Sequence, residues 1–140
     1  MAIATATAAS TVPTSSHLAR RRLIVIGAGA AAAALIWTIA VPVFGGQLLV
    51  RFGAGAPQAV GLGFVVAGSV AAPLLGWALL AFLERRTSRA GTLWTRTACV
   101  VLLVSFALPL SAGVTISTKT TLMLMHIVVG SVVIIGLRRS

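Results

Sequence analysis

Residues 20–44 have the sequence RRRLIVIGAGAAAAALIWTIAVPVF, which is three arginines followed by an uncharged apolar run from Leu23 to Phe44. At a rise of about 1.5 Å per residue, a helix of this length crosses the hydrocarbon core of a bilayer, which is about 30 Å thick. Only 9% of the chain's residues are charged, whereas a soluble domain carries roughly 25% charged residues. The run and the composition together indicate an integral membrane protein.

Three further apolar runs follow, so the sequence predicts an all-α fold, a bundle of four transmembrane helices. The predicted spans are residues 23–44, 59–83, 93–114 and 121–137. Residues 1–19 are rich in Ala, Ser and Thr without apolar periodicity, which predicts a disordered tail. Residues 20–140 form the predicted membrane domain. The basic start of the first run also fits a cleaved signal peptide, but its length and the later spans favour a retained anchor.

The distribution of basic residues predicts that both termini face the cytoplasm. An even number of spans places the termini on one side, and the side richer in Lys and Arg is normally cytoplasmic. Arg51 and Lys119 lie on the opposite side. The other basic residues share the side of the termini: Arg20, Arg21, Arg22, Arg85, Arg86, Arg89, Arg96, Arg138 and Arg139. The sequence thus predicts a multi-pass plasma-membrane protein whose partner is the lipid bilayer, and no nucleic acid.

Small residues spaced four positions apart predict close approach between helices. The candidate packing residues are Gly27, Gly29, Gly63, Ala67, Gly68 and Gly130. Small side chains at such positions let two helix backbones come close together in a membrane. The stripe in the second span is expected to pack within this chain, and the alternative is an interface between copies of the chain.

Part of the first span also matches the dinucleotide-binding fingerprint G-x-G-x-x-A, with Gly27, Gly29 and Ala32 in its three positions. That fingerprint needs a solvated turn and an acidic residue about twenty positions further on. The apolar run continues unbroken, and Glu84 is the chain's single acidic residue. We therefore predict helix packing here and no cofactor. Glu84 itself is expected to be a solvated or paired charge at the interface and not a catalytic group.

Tryptophan and proline positions add local expectations. Trp77 and Trp94 fall near the cytoplasmic ends of their spans, where indole rings commonly anchor helices in the headgroup region. Trp37 lies deeper and is expected to pack. Pro73 and Pro109 each remove one backbone hydrogen bond, which predicts helix kinks that serve packing, with a transport hinge as the alternative.

His126 lies within the apolar fourth span and is the main candidate for an intramembrane polar site. A neutral imidazole has one donor and one acceptor, so the ring is expected to face protein and not lipid. Counting residues from the span ends places it level with the third span between Ser105 and Ser111. Pro109 also leaves the carbonyl of Ser105 without its usual donor. We therefore expect His126 to hydrogen-bond to the Ser105–Ser111 segment.

Two other hypotheses for His126 stay open. Met123 shares its helix face and would offer a soft ligand for copper, but Met125 lies about 100° around the helix. Cys99 lies near the other end of the third span. His126 and Met123 are then the two plausible ligands, which is too few for a metal site, so none is predicted and copper binding stays the weaker alternative. The second hypothesis is a proton or ion path, which needs intramembrane polar groups on one continuous face. The side chains that could form it are Thr38, Ser69, Ser105, Ser111 and His126.

The sequence contains no visible catalytic constellation, because a single acidic residue and two histidines offer few groups for acid, base or nucleophile. It therefore favours a non-enzymatic accessory or interaction subunit, either a homo-oligomer or bound to an unidentified membrane partner. The alternative is a small transporter or channel with His126 lining the path.

Three short segments carry a resemblance to a known family. They are QAVG at 58–61, LPLS at 108–111 and MH at 125–126. Together with the order of the spans, the chain resembles a family of small four-helix actinobacterial membrane proteins catalogued as a domain of unknown function. The resemblance covers residues 23–137 and leaves the tail before Arg20 outside it. It implies the four-span architecture and no activity or substrate. The residues to which it directs attention are Gln58, Pro109, Ser111 and His126.

Overall fold

The computed structural model describes residues 15–138, which form four long apolar segments and a short hairpin. Helix α1 is Ser15–Thr38 and continues as a π-helical turn over Ile39–Val43, α2 is Leu62–Glu84, α3 is Ala90–Ser105, α4 is Ala107–Ala112 and α5 is Ile116–Arg138. Strands β1 (Leu49–Val50) and β2 (Gln58–Ala59) pair antiparallel between α1 and α2. Helices α3 and α4 are two parts of one span.

The predicted four-helix membrane bundle is confirmed. The segments long and apolar enough to cross a membrane are Ser16–Val43, Leu62–Glu84, Ala90–Ala112 and Ile116–Arg138. Helix α1 begins at Ser15, so the predicted disorder is wrong for residues 15–19. These residues precede three arginines, and Ala, Leu and Arg all favour helix, so the helix extends outward from the apolar run. The rest of the predicted tail, residues 1–14, lies outside the described residues.

The helices pack as a ring in the order α1, α2, α3, α5. Helix α1 packs against α2 and α5, and α3 packs against the same two helices. Neighbouring helices are antiparallel, because Arg22 near the start of α1 contacts Glu84 at the end of α2, and Gly136 near the end of α5 faces Val25 of α1. We call the end of the bundle that contains Arg22 and Glu84 the arginine end, and the opposite end the hairpin end.

Two apolar clusters fill the interior, one toward each end. The hairpin-end cluster is Ala33, Leu48, Val65 and Met125. The arginine-end cluster is Leu80, Trp94, Val133 and Leu137. Val129 of α5 packs against both clusters and joins them. Large apolar side chains on the outer faces of the helices stay exposed, including Phe64 at 74% and Leu75 at 73%, as expected for surfaces in contact with lipid.

Each proline has a different effect on its helix. Pro109 lacks an N–H, and the span is interrupted at Phe106, close to the unpaired carbonyl position that the sequence predicted. Pro42 also lacks an N–H, and it lies within the π-helical turn. In this turn the N–H of Phe44 donates to the carbonyl of Ile39 at 3.1 Å. Helix α2 continues through the buried Pro73 without interruption.

The hairpin end is closed by a set of backbone hydrogen bonds that the sequence did not predict. The N–H of Arg51 donates to the carbonyl of Ala112 at 2.8 Å, and that of Val114 donates to the carbonyl of Leu49 at 3.0 Å. These bonds join the connection between α1 and α2 to the connection between α4 and α5. Gly53, with a φ of +58°, occupies the left-handed region in the hairpin turn.

Thr118 of α5 anchors this end from inside. Its side chain is fully buried, its hydroxyl lies 3.2 Å from the carbonyl oxygen of Gln47, and it accepts the N–H of Leu49 at 3.3 Å. One short side chain therefore satisfies two backbone groups of the connection between α1 and α2.

The tryptophans pack inside the bundle. The indole N–H of Trp37 donates to the carbonyl of Val60 at 2.8 Å, which agrees with its predicted packing role. Trp94 is only 1% exposed, and its N–H donates to the carbonyl of Gly76 at 2.7 Å. The prediction that Trp94 anchors in the headgroup region is therefore wrong. Position along a span does not show which way a side chain points, and this ring points inward.

Candidate functional site

His126 lies on α5 with its ring partly buried, and the ring bonds within its own helix. Nδ1 lies 2.7 Å from the carbonyl oxygen of Leu122, one turn earlier. A carbonyl oxygen only accepts, so Nδ1 is the donor and carries a proton. In the neutral ring Nε2 is then the acceptor.

The two serines opposite His126 are also satisfied locally. The hydroxyl of Ser105 donates to the carbonyl of Leu102 at 2.7 Å, and that of Ser111 donates to the carbonyl of Ala107 at 2.7 Å. Within residues 15–138, no hydrogen bond joins His126 to Ser105 or Ser111. The predicted bond is therefore wrong. A carbonyl in the preceding turn of the same helix is always within reach of these side chains and needs no alignment between helices.

The ring nevertheless lies on the protein-facing side of α5, as predicted. Gly130, one turn after His126, faces α3 so closely that a Cβ there would lie 2.6 Å from a methyl group of Leu102. Residues four apart share a helix face, so His126 is also on the α3 side. This places Ser105 and His126 on adjoining elements without a direct bond.

The candidate metal ligands do not converge. Met125 is 5% exposed and packs with Ala33 and Val65 in the hairpin-end cluster. This is a different side of α5 from the one that carries His126. Met123 is partly buried one turn before the histidine. No group of three or more His, Cys, Asp or Glu side chains among the described residues is arranged to hold a metal ion.

The polar side chains proposed for a transport path are not linked to one another by hydrogen bonds in the described part of the chain. Thr38 follows the same pattern as the serines, because its hydroxyl donates to the carbonyl of Ala34 at 2.8 Å. Thr38 and Ser111 are both exposed on the outside of the bundle. The transport hypothesis gains no support from this geometry and stays a prediction.

The predicted packing residues divide into two groups. Gly29 is buried against Val129 and Val133 of α5, and the partly buried Gly130 faces Leu102 of α3, so both lie at contacts between helices of this chain. The sequence missed Gly136, where a Cβ would lie 2.5 Å from the side chain of Val25.

The other predicted packing residues lie on the outer surface. A Cβ added at Gly27, Gly63 or Gly68 would meet no described atom within 4 Å, and Ala67 is exposed. The expectation that the α2 stripe packs within this chain is therefore wrong, and the alternative of an interface with another chain stays open. Helix α2 is apolar on all sides, so its hydrophobic pattern does not indicate which face turns inward.

The arginine end contains a partly buried ion pair. Nη2 of Arg22 lies 2.7 Å from Oε1 of Glu84, and Nη1 lies 3.4 Å from Oε2. The Arg22 side chain is 8% exposed and that of Glu84 is 42% exposed. The expectation of a solvated or paired Glu84 is confirmed, since it is paired. The sequence did not indicate which arginine would be the partner, because the two residues are 62 positions apart.

The arginine end also has a cavity, open to the surface, where α3 begins and α5 ends. Its volume is about 330 Å³. The lining residues are Gly91, Thr92, Thr95, Arg96 and Arg138. Sequence reasoning used the two arginines only to assign topology. The sequence did place Arg96 near the start of one span and Arg138 at the end of the next, which puts both at the same end of two antiparallel helices.

Family comparison extends the sequence evidence over nearly the whole chain. The sequence profile of a family of unknown function, DUF6069, matches residues 13–140. The chain belongs to this family. The predicted resemblance to a domain of unknown function is thereby confirmed, and an actinobacterial origin stays a prediction.

The DUF6069 match also corrects one boundary. It begins at residue 13, so the expectation that the tail before Arg20 lies outside the family is wrong for residues 13–19. This agrees with the helix that starts at Ser15. Neither a curated protein nor a solved structure matches the chain.

Proposed function

We propose that this DUF6069 protein is a multi-pass protein of the plasma membrane that acts as a non-enzymatic accessory or interaction subunit. Four apolar helices make it a membrane protein. The proposal adds that it works by lateral association through α2, either with another copy of itself or with a different membrane protein.

The observation that carries this proposal is the outer face of α2. Gly63, Ala67 and Gly68 lie there, and the added Cβ of either glycine would point into open space. In the same bundle, the space beside Gly29 and Gly130 is occupied by side chains of this chain. In lipid, a face of small residues allows close backbone contact between helices, which gains van der Waals packing that lipid tails provide less well.

Charge distribution supports the proposed orientation, with the arginine end toward the cytoplasm. Arg51 and Lys119 belong to the hairpin end, and the other described basic residues belong to the arginine end. Positive residues concentrate on the cytoplasmic side of membrane proteins. Protease treatment of sealed right-side-out vesicles tests this orientation. The proposal expects the N-terminal tail to be protected, and cleavage of the tail would overturn it.

Association through α2 is tested by native mass spectrometry of the protein gently extracted from its own membrane. Wild type is expected to carry a second copy or a stoichiometric second protein. Gly68→Leu is expected to lose that mass, because the added side chain keeps the partner helix at a distance. The substitution should leave the fold intact, since nothing in the described chain occupies that space.

Gly27→Leu is the matched control, because Gly27 is also exposed and its Cβ would also meet open space, but on α1. It should retain the partner. A bare wild-type monomer, or equal retention of the partner in Gly68→Leu and Gly27→Leu, would refute association through α2.

A further inference from the structure

Two arginines from different helices converge on the arginine-end cavity. Arg96 lies in the second turn of α3, and Arg138 is the last residue of α5. Both line the same cavity of about 330 Å³. Thr92 and Thr95 are on the α3 wall, where the Thr95 hydroxyl donates to the carbonyl of Gly91 at 2.8 Å. The site thus places two exposed arginines and a threonine-lined wall around one volume.

No carboxylate side chain of this chain is available to neutralise that charge. The chain has eleven Lys and Arg residues and one acidic residue. That acidic residue, Glu84, binds Arg22 at 2.7 Å. Two like charges facing one cavity repel each other, and an anion between them removes the repulsion. The chain's own composition therefore favours an anionic ligand from outside.

The donor set fits a phosphate group. A guanidinium presents a planar fork of N–H donors that matches the oxygens of phosphate, and such charge-assisted bonds are among the strongest in proteins. The hydroxyl of Thr92 on the cavity wall can donate to a further oxygen, whereas the hydroxyl proton of Thr95 is already used in the bond to Gly91. A tetrahedral phosphate carries acceptor oxygens in more directions than a planar carboxylate, so it is the better match for donors that come from two helices.

The surface beside the cavity indicates where the phosphate comes from. Val100 and Leu103 follow Arg96 along the same face of α3, one and two turns further into the span. They are 59% and 66% exposed. On the opposite side, Trp94 and Leu137 close the bundle, and each is only 1% exposed. A ligand with a phosphate in the cavity and acyl chains along α3 would match this division into charged and apolar surface.

We propose that the cavity between Arg96 and Arg138 binds the phosphate group of an anionic phospholipid in the leaflet that contacts the arginine end. Basic pockets between membrane helices are suited to such headgroups. The cavity is formed by α3 and α5, so lipid binding here is independent of association through α2.

The proposal is tested by native mass spectrometry of the delipidated full chain in mild detergent, titrated with phosphatidylglycerol. Arg96→Gln and Arg138→Gln are each expected to weaken the first bound lipid about tenfold, because each removes a charge-assisted contact. Arg85→Gln is the matched control, since Arg85 is an exposed arginine of the same end that does not line the cavity. It should change the affinity less than twofold.

Arg96→Lys separates loss of lipid contacts from loss of folding. It keeps the positive charge of the side chain but removes the planar set of N–H donors. Its lipid affinity should lie between that of wild type and Arg96→Gln, at an unchanged free energy of unfolding. Equal lipid affinity of wild type, Arg96→Gln and Arg138→Gln would overturn the proposal.

A parallel titration with inorganic phosphate distinguishes the two sources of this chemistry. If inorganic phosphate displaces phosphatidylglycerol only at high concentration, the result supports a phospholipid as the ligand. Binding of inorganic phosphate that depends on both arginines, without any binding of phosphatidylglycerol, would overturn the lipid assignment and make the ligand a soluble phosphate.

Discussion

Replacing Glu84 by glutamine is expected to lower the free energy of unfolding by about 2 kcal/mol. The substitution keeps the size of the side chain and removes the carboxylate that pairs with the guanidinium of Arg22. The Arg22 side chain is 8% exposed, so its charge stays largely buried after the carboxylate of Glu84 is removed. Removing one member of a buried ion pair is costly for this reason.

The magnitude follows from the unequal exposure of the two partners. Breaking a fully buried pair costs about 3–5 kcal/mol, and an exposed pair contributes about 0–1 kcal/mol. With Arg22 at 8% and Glu84 at 42% exposure, the pair lies between these limits. A double-mutant cycle with Arg22→Gln should give a coupling free energy of about 1–2 kcal/mol, because in the double variant neither charge is left buried alone.

The assay is reversible unfolding in mixed micelles with increasing sodium dodecyl sulfate, followed by tryptophan fluorescence. Arg85→Gln is the control, because it removes a neighbouring positive charge that is exposed. It should change the free energy by less than about 0.5 kcal/mol. The reasoning would be refuted if Glu84→Gln matched this control, or if the cycle gave a coupling free energy near zero.

Two further substitutions probe the hairpin end and the histidine. Thr118→Val keeps the side-chain shape but removes the hydroxyl that bonds the backbone of Gln47 and Leu49, so it should cost about 2 kcal/mol and speed amide hydrogen exchange in residues 47–60. Thr120→Val, which removes only an exposed bond within α5, should do neither, and equal effects of the two variants would contradict the anchoring role. His126→Leu should leave membrane insertion intact and change the free energy of unfolding by no more than about 1 kcal/mol, because the ring's hydrogen bond stays within its own helix. Loss of the protein from the membrane fraction would show that this account of α5 is wrong.

Features that depend on local sequence were largely predictable. The four spans follow from apolar runs of sufficient length, because transfer of apolar side chains into lipid depends on composition and not on neighbours in the fold. The interruption at Phe106 follows from the missing N–H of Pro109. The paired state of Glu84 was among the expected outcomes, since a lone carboxylate among arginines readily finds a partner.

The surroundings of His126 were predicted only in part. Its depth along the span and its protein-facing side were predicted from helix geometry. The bond to Ser105 or Ser111 was not formed, because each of the three side chains reaches a carbonyl of its own helix. Matching depth on two helices is necessary for contact but does not determine the rotation of either helix.

The amino-acid sequence was enough to predict a membrane protein, its four apolar helices and the distribution of its charges along the chain. The packing of the helices was needed to show that Gly68 faces outward, that Arg22 pairs with Glu84, and that Arg96 and Arg138 line one cavity. The physical reason is that a helix that is apolar on all sides has nearly the same transfer free energy in every rotation about its axis. Packing between helices and hydrogen bonds between distant segments select one rotation, and both depend on residues that are far apart in the chain.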